Sequence, residues 1–259
     1  MPEGDTVYAA AKRLDRALTG QVLTSSDFRI PSLATSDISG ATVTGTVSRG
    51  KHLLTRFDNG LTLHTHLKMD GTWQAGARGS RWRRPAHTAR VILRTATTEA
   101  VGFQVLLDLV RTTSEDGLVG HLGPDLLGPD WDADVALARL LAAPGVPIAD
   151  ALLDQRNLAG IGNVFKAELC FIGRVDPLTP VSDVPDLPAM VAKAKQLLEA
   201  NKDRPTRITT GDRRPGYRTW VYGRRGGCLR CGTAVARSEQ GPRGQERVTY
   251  WCPTCQPRP

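Results

Sequence analysis

The sequence lacks any apolar stretch long enough to cross a bilayer, and it lacks an export signal. A transmembrane helix needs about 20 consecutive, mostly apolar residues, and no segment of the 259 residues approaches that length. The opening, MPEGDTVYAAAKRLDRAL, does not have the basic and then apolar layout of a secretory signal. We therefore expect a cytoplasmic protein with no membrane partner.

Acidic residues are scarce in the last quarter of the chain. Residues 201–259 contain thirteen Lys and Arg against four Asp and Glu, whereas the net charge of the whole chain is +8. This basic segment suits a polyanion, because each neutralised phosphate releases condensed counterions and arginine can hold a phosphate with two hydrogen bonds. A solvated basic tail is the alternative that charge alone leaves open.

Cysteines are few, and four of the five stand in two CxxC pairs. Cys228 and Cys231 form the first pair, and Cys252 and Cys255 form the second after twenty intervening residues. In a cytoplasmic protein this spacing predicts one structural zinc ion held by four thiolates. A redox dithiol is the alternative, although neither pair follows a strand-to-helix pattern. Cys170 lies alone in an apolar run, which is typical of a small buried residue.

The hydrophobic pattern predicts an α+β protein with two domains. A helix capped by Asp5 and ended by Gly20 is followed by strand-like runs as far as about Leu109, which indicates a β-sandwich or barrel flanked by helices. Helical patterns dominate later, over residues 133–141, 148–158, 164–171 and 187–201. We predict a β-sandwich domain over residues 2–119, a linker over 120–132, a helical domain over 133–215 and a β-hairpin zinc finger over 216–259.

One hairpin stands out within the predicted sandwich. Alternating residues 41–57 and 61–69 flank Asp58-Asn59-Gly60, which predicts two strands joined by a tight turn. Lys51 lies in the first run. His64 and His66 share one face of the second run, but no third metal ligand is evident, so we expect them to pack and to form hydrogen bonds.

A glycine-rich turn, AGIG, separates two helical segments around residue 160. We expect the first helix to end near Leu158 and Asn163 to cap the next one. The free N–H groups at such a helix start, together with Lys166 in its first turn, form an anion site. An ordinary helical hairpin with a glycine turn fits the spacing equally well.

Four segments together resemble the formamidopyrimidine-DNA glycosylase and endonuclease VIII family. They are the opening Met1-Pro2-Glu3-Gly4, the SRGKHLL motif with Lys51, the helix–two-turn–helix signature LLDQ…LAGIGNVFKAEL, and the finger VYGR…CLRCGT…RVTYWCPTCQ with Arg247. The segments MPEGDT and HLKMDG resemble the second bacterial endonuclease VIII branch. The resemblance implies a helix–two-turn–helix DNA-binding domain in a monomeric bacterial protein that acts at the nucleoid.

The resemblance also implies a bifunctional DNA glycosylase and abasic-site lyase. Pro2 would be the nucleophile once Met1 is removed, since a secondary α-amine titrates near ~8 and forms an iminium directly. Glu3 would relay protons, and Lys51 would reach the phosphate or sugar of the damaged nucleotide. Without the resemblance these residues are an ordinary second-position proline, an acid at a helix N-terminus and a strand-edge lysine.

Further DNA-binding residues follow from the resemblance. Asn163 and Arg247 would hold the phosphates beside the lesion while the nucleotide rotates out of the stack, and Met69 would push into the vacated space. A buried core methionine is the alternative for Met69. Thr6 stands where many family members have a glutamate, and Arg111 is followed by threonines instead of the Arg-x-Phe wedge. This departure favours single-stranded, bubble or already weakened duplex substrates.

The expected reaction is removal of oxidised bases, with pyrimidines favoured, followed by β- and δ-elimination at the abasic site. Oxidised purines are the alternative within the family. A non-catalytic zinc-finger DNA-binding protein is the alternative from another class, and the intact Pro2-Glu3 pair with Lys51 argues against it.

Overall fold

The computed structural model describes residues 2–241, 244 and 246–258. Met1, whose removal is expected, and Arg243 of the basic segment lie outside the described residues. The chain divides into two compact units, 1–121 and 122–259, each with its own hydrophobic core. Among the described residues, no helix has the length and apolar character that crossing a bilayer requires.

The first unit contains two four-stranded antiparallel sheets and a long helix, α1, over Gly4–Leu18. One sheet has the strand order β1-β6-β7-β5, and the other has the order β2-β3-β4-β8. The strands are β1 (Ser25–Phe28), β2 (Val43–Arg49), β3 (His52–Phe57), β4 (Leu61–His66), β5 (Thr72–Ala77), β6 (Ala89–Arg94), β7 (Thr98–Phe103) and β8 (Leu106–Arg111). A short helix, α2 (Asp116–Val119), follows them. The predicted α+β class with an N-terminal β-sandwich is confirmed.

One apolar core joins α1 to the inner faces of both sheets, because α1 packs against β2 and β3 of one sheet and β5 and β7 of the other. Between the sheets, Trp73 Nε1 donates a hydrogen bond to Thr65 Oγ1 at 3.2 Å. Burying each large apolar side chain contributes about 1.5–3 kcal/mol relative to its exposure. The buried members include Val7, Ala11, Leu14, Leu18, Leu53, Leu63, Leu107, Val91, Leu93 and Ala100.

The start of α1 differs from the prediction by two residues. Its N-cap residue is Glu3, whereas Asp5 lies inside the first turn and accepts hydrogen bonds from Thr6 N at 2.7 Å and Thr6 Oγ1 at 3.2 Å. The Asp5 carboxylate is buried and still benefits from the positive end of the helix dipole. Gly20, with φ of +78°, follows the end of the helix as predicted.

The run of residues 41–57 forms two strands instead of the predicted one. β2 and β3 are joined by the two-residue turn Gly50-Lys51, and Arg49 pairs with His52 across it. Gly50 has φ of +58°, a conformation that glycine adopts without steric cost. The alternation of residues continues through so short a turn, so the pattern does not reveal it. The predicted turn at Asp58-Asn59-Gly60, between β3 and β4, is confirmed.

The described part of the second unit contains four α-helices and a hairpin: α3 (Ala133–Leu141), α4 (Ile148–Leu153), α5 (Asn163–Ile172), α6 (Leu187–Asn201), β9 (Ala236–Gln240) and β10 (Arg247–Trp251). α3 and α6 coincide with the predicted ranges. The prediction that the next helix reaches Leu158 is wrong, because α4 ends at Leu153. There Asn157 Nδ2 donates to Ala151 O at 2.9 Å, so a side chain bonds a carbonyl that continued helix would use.

A small separate core attaches the hairpin to α5. It contains Ala167 and Phe171 of α5 together with Val221, Cys228 and Cys252. The strands β9 and β10 pair antiparallel, with Arg247 opposite Gln240. The cysteine segment is therefore fixed to the second helix of the helix–two-turn–helix signature.

Candidate catalytic and nucleic-acid-binding site

Pro2 and Glu3 lie immediately before the first residue of α1. Glu3 has extended backbone angles and is 0% exposed, while Pro2 is partly buried. The Glu3 carbonyl accepts the first helical hydrogen bond, from Val7 N at 3.0 Å. A buried carboxylate thus stands beside the residue predicted to carry the amine.

Lys51 lies in the turn between β2 and β3 and is partly buried. The interpretation of Lys51 as part of a strand was wrong, because Lys51 is the second residue of the two-residue turn between β2 and β3. Because α1 packs on β2 and β3, the helix that follows Pro2 and the hairpin that carries Lys51 share one core.

Met69 occupies an exposed turn between β4 and β5. It is 57% exposed, so the alternative of a buried core methionine is wrong. The turn is tight, with Gly71 N bonded to Leu67 O at 2.8 Å. A Cβ atom on Gly71 would lie 2.3 Å from Leu67 O, so this close approach requires glycine. The turn therefore presents a flexible apolar side chain to solvent from a constrained backbone.

Asn163 is the first residue of α5, and Gly162 is the N-cap residue. The prediction of Asn163 as the cap was wrong because its side chain bonds another element. Asn163 is 4% exposed, its Nδ2 donates to Val248 O at 2.6 Å, and its buried Oδ1 has no hydrogen-bond partner among the described residues. Arg247 precedes Val248 and is exposed. The structure therefore places the two predicted phosphate-binding residues next to each other, although they are distant in sequence.

Lys166 has a different position from the one that the sequence suggested. It is 0% exposed, and its Nζ donates to Thr249 Oγ1 at 2.6 Å. An ammonium group without solvent access cannot meet a DNA phosphate in this arrangement, so the prediction of Lys166 as an anion-binding residue is wrong. Its contact joins α5 to β10 instead.

Glu168 is a residue that sequence reasoning missed. Its carboxylate accepts hydrogen bonds from the Thr209 hydroxyl and from three successive backbone N–H groups, those of Trp220 at 2.7 Å, Val221 at 2.9 Å and Tyr222 at 2.9 Å. Burial raises the pKa of Glu168, and these hydrogen bonds oppose that effect. Glu168 thereby fixes the start of the finger to α5. A glutamate within the apolar run AELCF was the available signal.

The four paired cysteines converge on one point. Their Sγ atoms all lie within 4.8 Å of one another, with 3.9 Å between Cys228 and Cys255 and 3.5 Å between Cys231 and Cys252. Tetrahedral zinc with Zn–S bonds of ~2.3 Å implies sulfur separations of roughly 3.8 Å. The residues thus fit the ion. Cys170 is buried as predicted, and burial raises the pKa of its thiol to about 12.

The strand histidines pack and form hydrogen bonds, as predicted. His64 bonds to His52 and Asp108, and His66 bonds to Lys68 N. Within the part of the chain that the structure describes, the four cysteines are the cluster of His, Cys, Asp or Glu residues suited to a metal ion.

Sequence comparisons with known proteins identify one family, and a structural comparison finds the same fold. A sequence profile of the formamidopyrimidine-DNA glycosylase N-terminal domain matches residues 1–106. The whole chain is 57% identical to a "Probable endonuclease 8 2" of Streptomyces coelicolor, of which it covers 95%. It is 48% identical, over 99% of each chain, to a DNA-(apurinic or apyrimidinic site) lyase of Mycolicibacterium smegmatis. The Lactococcus lactis formamidopyrimidine DNA glycosylase bound to abasic-site DNA gives a TM-score of 0.80 at 20% identity, covering 99% of this chain and 100% of that one, which shows a shared fold.

Proposed function

Because the chain belongs to the formamidopyrimidine-DNA glycosylase and endonuclease VIII family, in its endonuclease 8 2 branch, we propose that it excises oxidised bases from DNA and cleaves abasic sites in base excision repair. The observation that carries this proposal is the fully buried Glu3 carboxylate beside Pro2 at the N-terminus of α1. An acid at a helix N-terminus can be purely structural, but its burial beside the residue that carries the amine suits proton transfer to a bound sugar.

The reaction begins when Met1 is removed and Pro2 acquires a secondary amine. The amine attacks C1′ of the damaged nucleotide, the base leaves with a proton, and the sugar opens to an iminium on Pro2. Loss of a C2′ proton then expels the 3′ phosphate, and a second elimination expels the 5′ phosphate. The Glu3 carboxyl group donates and accepts the protons of the opening sugar, and Lys51 binds the nucleotide's phosphate or sugar.

The DNA-binding residues belong to two kinds. Asn163 and Arg247 neutralise or hydrogen-bond the phosphates beside the lesion, and Met69 fills the space that the rotated nucleotide leaves. Four thiolates hold one structural Zn²⁺, which keeps Arg247 in place through the β9–β10 hairpin. The named relatives are bacterial proteins, and the proposed protein acts as a monomer in the cytoplasm, on the nucleoid.

The proposed substrate preference rests on the branch of the family and on the lack of an aromatic wedge after Arg111. The segments MPEGDT and HLKMDG favour oxidised pyrimidines over oxidised purines. Residues after Arg111 form a 3-10 turn over Thr112–Ser114 and carry no aromatic wedge, so Met69 fills the vacated stack alone. Single-stranded and bubble lesions, which need no such filling, are therefore cleaved about as fast as duplex lesions. A strong preference for duplex in matched single-turnover assays would contradict this.

Borohydride trapping on abasic-site DNA tests the activity directly. Wild-type protein without Met1 should give a covalent adduct and a nicked strand, while protein with a blocked N-terminus should give neither and still bind. Binding without any adduct by correctly processed protein would leave only the non-catalytic alternative. A panel of oxidised pyrimidines and purines in the same duplex then ranks the bases.

A further inference from the structure

Three imidazole rings and one carboxylate on the β2-β3-β4-β8 sheet are connected by hydrogen bonds and ring contacts. We call His52, His64, His66 and Asp108 the histidine block. His52 Nδ1 lies 2.8 Å from His64 Nε2, and His64 Nδ1 lies 3.1 Å from Asp108 Oδ2. The His52 ring stacks on His64 at 5.0 Å and meets the edge of His66 at 5.1 Å. The block thus links three neighbouring strands.

The hydrogen bonds fix which nitrogen carries the proton in each ring. With His64 in its neutral form, the hydrogen bond between Nδ1 and Asp108 Oδ2 leaves Nε2 as the acceptor that faces His52. His52 must then donate from Nδ1. His66 Nδ1 accepts from Lys68 N at 2.9 Å, so its proton is on Nε2. Each ring is therefore held in one orientation by a hydrogen bond or a ring contact.

Electrostatics keep the rings of His52 and His66 neutral. Burial, followed by the nearby His66, His64, His121 and Lys68, lowers the pKa of His52 to about 3. Burial, followed by the charges of Lys68 and Lys51, lowers the pKa of His66 to about 4. The same repulsion acts in reverse, since a protonated ring would disfavour the ammonium group of Lys51.

The block touches both turns of the first unit to which the proposed function assigns a role. His52 directly follows Lys51 and lies opposite His66 in the β3–β4 register. His66 in turn accepts the backbone N–H of Lys68, one residue before Met69. The Lys51 turn and the Met69 turn are therefore joined through the His52–His66 pair. His64, which is bonded to Asp108, orients His52 of that pair through a hydrogen bond.

We propose that the histidine block is a positioning element that holds the Lys51 turn and the Met69 turn in a fixed relation, with His64 and Asp108 acting on the reaction only through those turns. This inference rests on the proposed function. Displacement of a substrate-binding group by about 1 Å costs up to roughly 100-fold in rate, so loss of the block should reduce catalysis without removing any residue that contacts DNA.

The tautomers provide a test that does not depend on activity. Long-range ¹H–¹⁵N correlation spectra of the full-length protein should show the proton of His64 and of His52 on Nδ1 and that of His66 on Nε2. Asp108→Leu should change the His64 pattern, while Asp108→Asn, which keeps an acceptor oxygen, should preserve it. A His64 proton on Nε2 in the wild type would overturn the arrangement.

Single-turnover cleavage of abasic-site DNA tests the positioning role. His64→Phe keeps the ring stacking but loses both hydrogen bonds, and we expect a loss of about tenfold or more in rate with DNA affinity and melting temperature unchanged. Asp108→Leu should show a smaller loss in the same direction, and Asp108→Asn should restore the rate.

A double-mutant cycle separates positioning from general destabilisation. If His64 acts through Lys51, His64→Phe should cost less than about twofold in a Lys51→Ala background. Equal losses in both backgrounds, or full activity of His64→Phe, would overturn the proposal. Absence of an adduct with the wild-type protein would overturn the proposed function and the positioning role with it, whereas a wild-type adduct with an unaffected His64→Phe removes the positioning role alone.

Discussion

Pro2 carries a nucleophilic amine only when no residue precedes it. With Met1 attached its nitrogen is an amide, which has neither a titratable proton nor a useful lone pair. The neighbouring Glu3 is buried, because α1 starts at the next residue and packs against both sheets. The fold therefore buries the acid, whereas the amine forms only when Met1 is removed.

Glu3→Gln should separate chemistry from binding. The amide has the same shape but cannot exchange a proton, so we expect base excision to fall by about 100-fold or more. Affinity for DNA that contains a non-cleavable abasic-site analogue should stay within about twofold, since no phosphate contact is lost. Single-turnover kinetics and a binding titration with the same duplex measure the two effects. Equal losses in both would contradict the role of Glu3.

The family resemblance identified Asn163 and Arg247, and the predicted helix start identified Lys166, but neither gave the surroundings of these residues. Lys166 is buried because Thr249, 83 positions away, accepts its hydrogen bond. Asn163 does not cap its own helix because Val248, 85 positions away, accepts from its side chain. Such partners are brought by tertiary packing, which local sequence does not encode.

Helices with their own end signals were predicted to the residue. α3 begins after Asp132, whose carboxylate accepts from Asp134 N and Val135 N, and α6 begins after Asp186, which accepts from Ala189 N. α4 lacks a comparable signal at its end, and its extent was overestimated. The Gly50-Lys51 turn was missed for a related reason, since a two-residue turn leaves the alternation of the flanking strands intact.

The buried rings of His52 and His66, on strands β3 and β4, predict that the free energy of unfolding depends on pH. The folded pKa values of His52, about 3, and His66, about 4, lie below the unfolded value of about 6.5. As the pH falls below about 6.5, the unfolded chain binds protons first, so the free energy of unfolding should be complete above that pH and should decrease steadily towards pH 4.

Urea unfolding at several pH values between 7.5 and about 5.5 measures this effect. His52→Phe removes one of the two groups and should reduce the slope in that range, where carboxylates with lowered pKa values do not yet titrate. A wild-type slope of zero, or an unchanged slope in His52→Phe, would show that the rings are protonated in the folded protein.

The second unit depends on contacts that converge on its finger. Asn163, Lys166 and Glu168 of α5 all bond to the segment between residues 209 and 249, and the four cysteines close that segment at one point. Fold class, the four-cysteine cluster and the family were predictable from the sequence, because they rest on hydrophobic patterns and motifs. The separate contacts of Asn163, Lys166 and Glu168 within α5 were not predictable, because their partners are distant in sequence.

Removal of zinc should therefore weaken both stability and DNA binding. Structural zinc contributes up to about 10–16 kcal/mol in isolated fingers, and we expect a strong chelator to lower the melting temperature by about 10 °C or more and the affinity for abasic-site DNA by at least about tenfold. Differential scanning fluorimetry and fluorescence anisotropy, with and without added Zn²⁺, record both. Full binding after metal loss, verified by elemental analysis, would contradict the assignment.

The central claim is that the α-amine of Pro2 forms the covalent bond to DNA. Reduction of the enzyme on abasic-site DNA, followed by proteolysis and mass spectrometry, should place the sugar remnant on an N-terminal peptide that begins with Pro2. Protein that retains Met1 should give no such peptide and no nicked strand. A remnant on Lys51 or any other lysine, with Pro2 unmodified, would falsify the account.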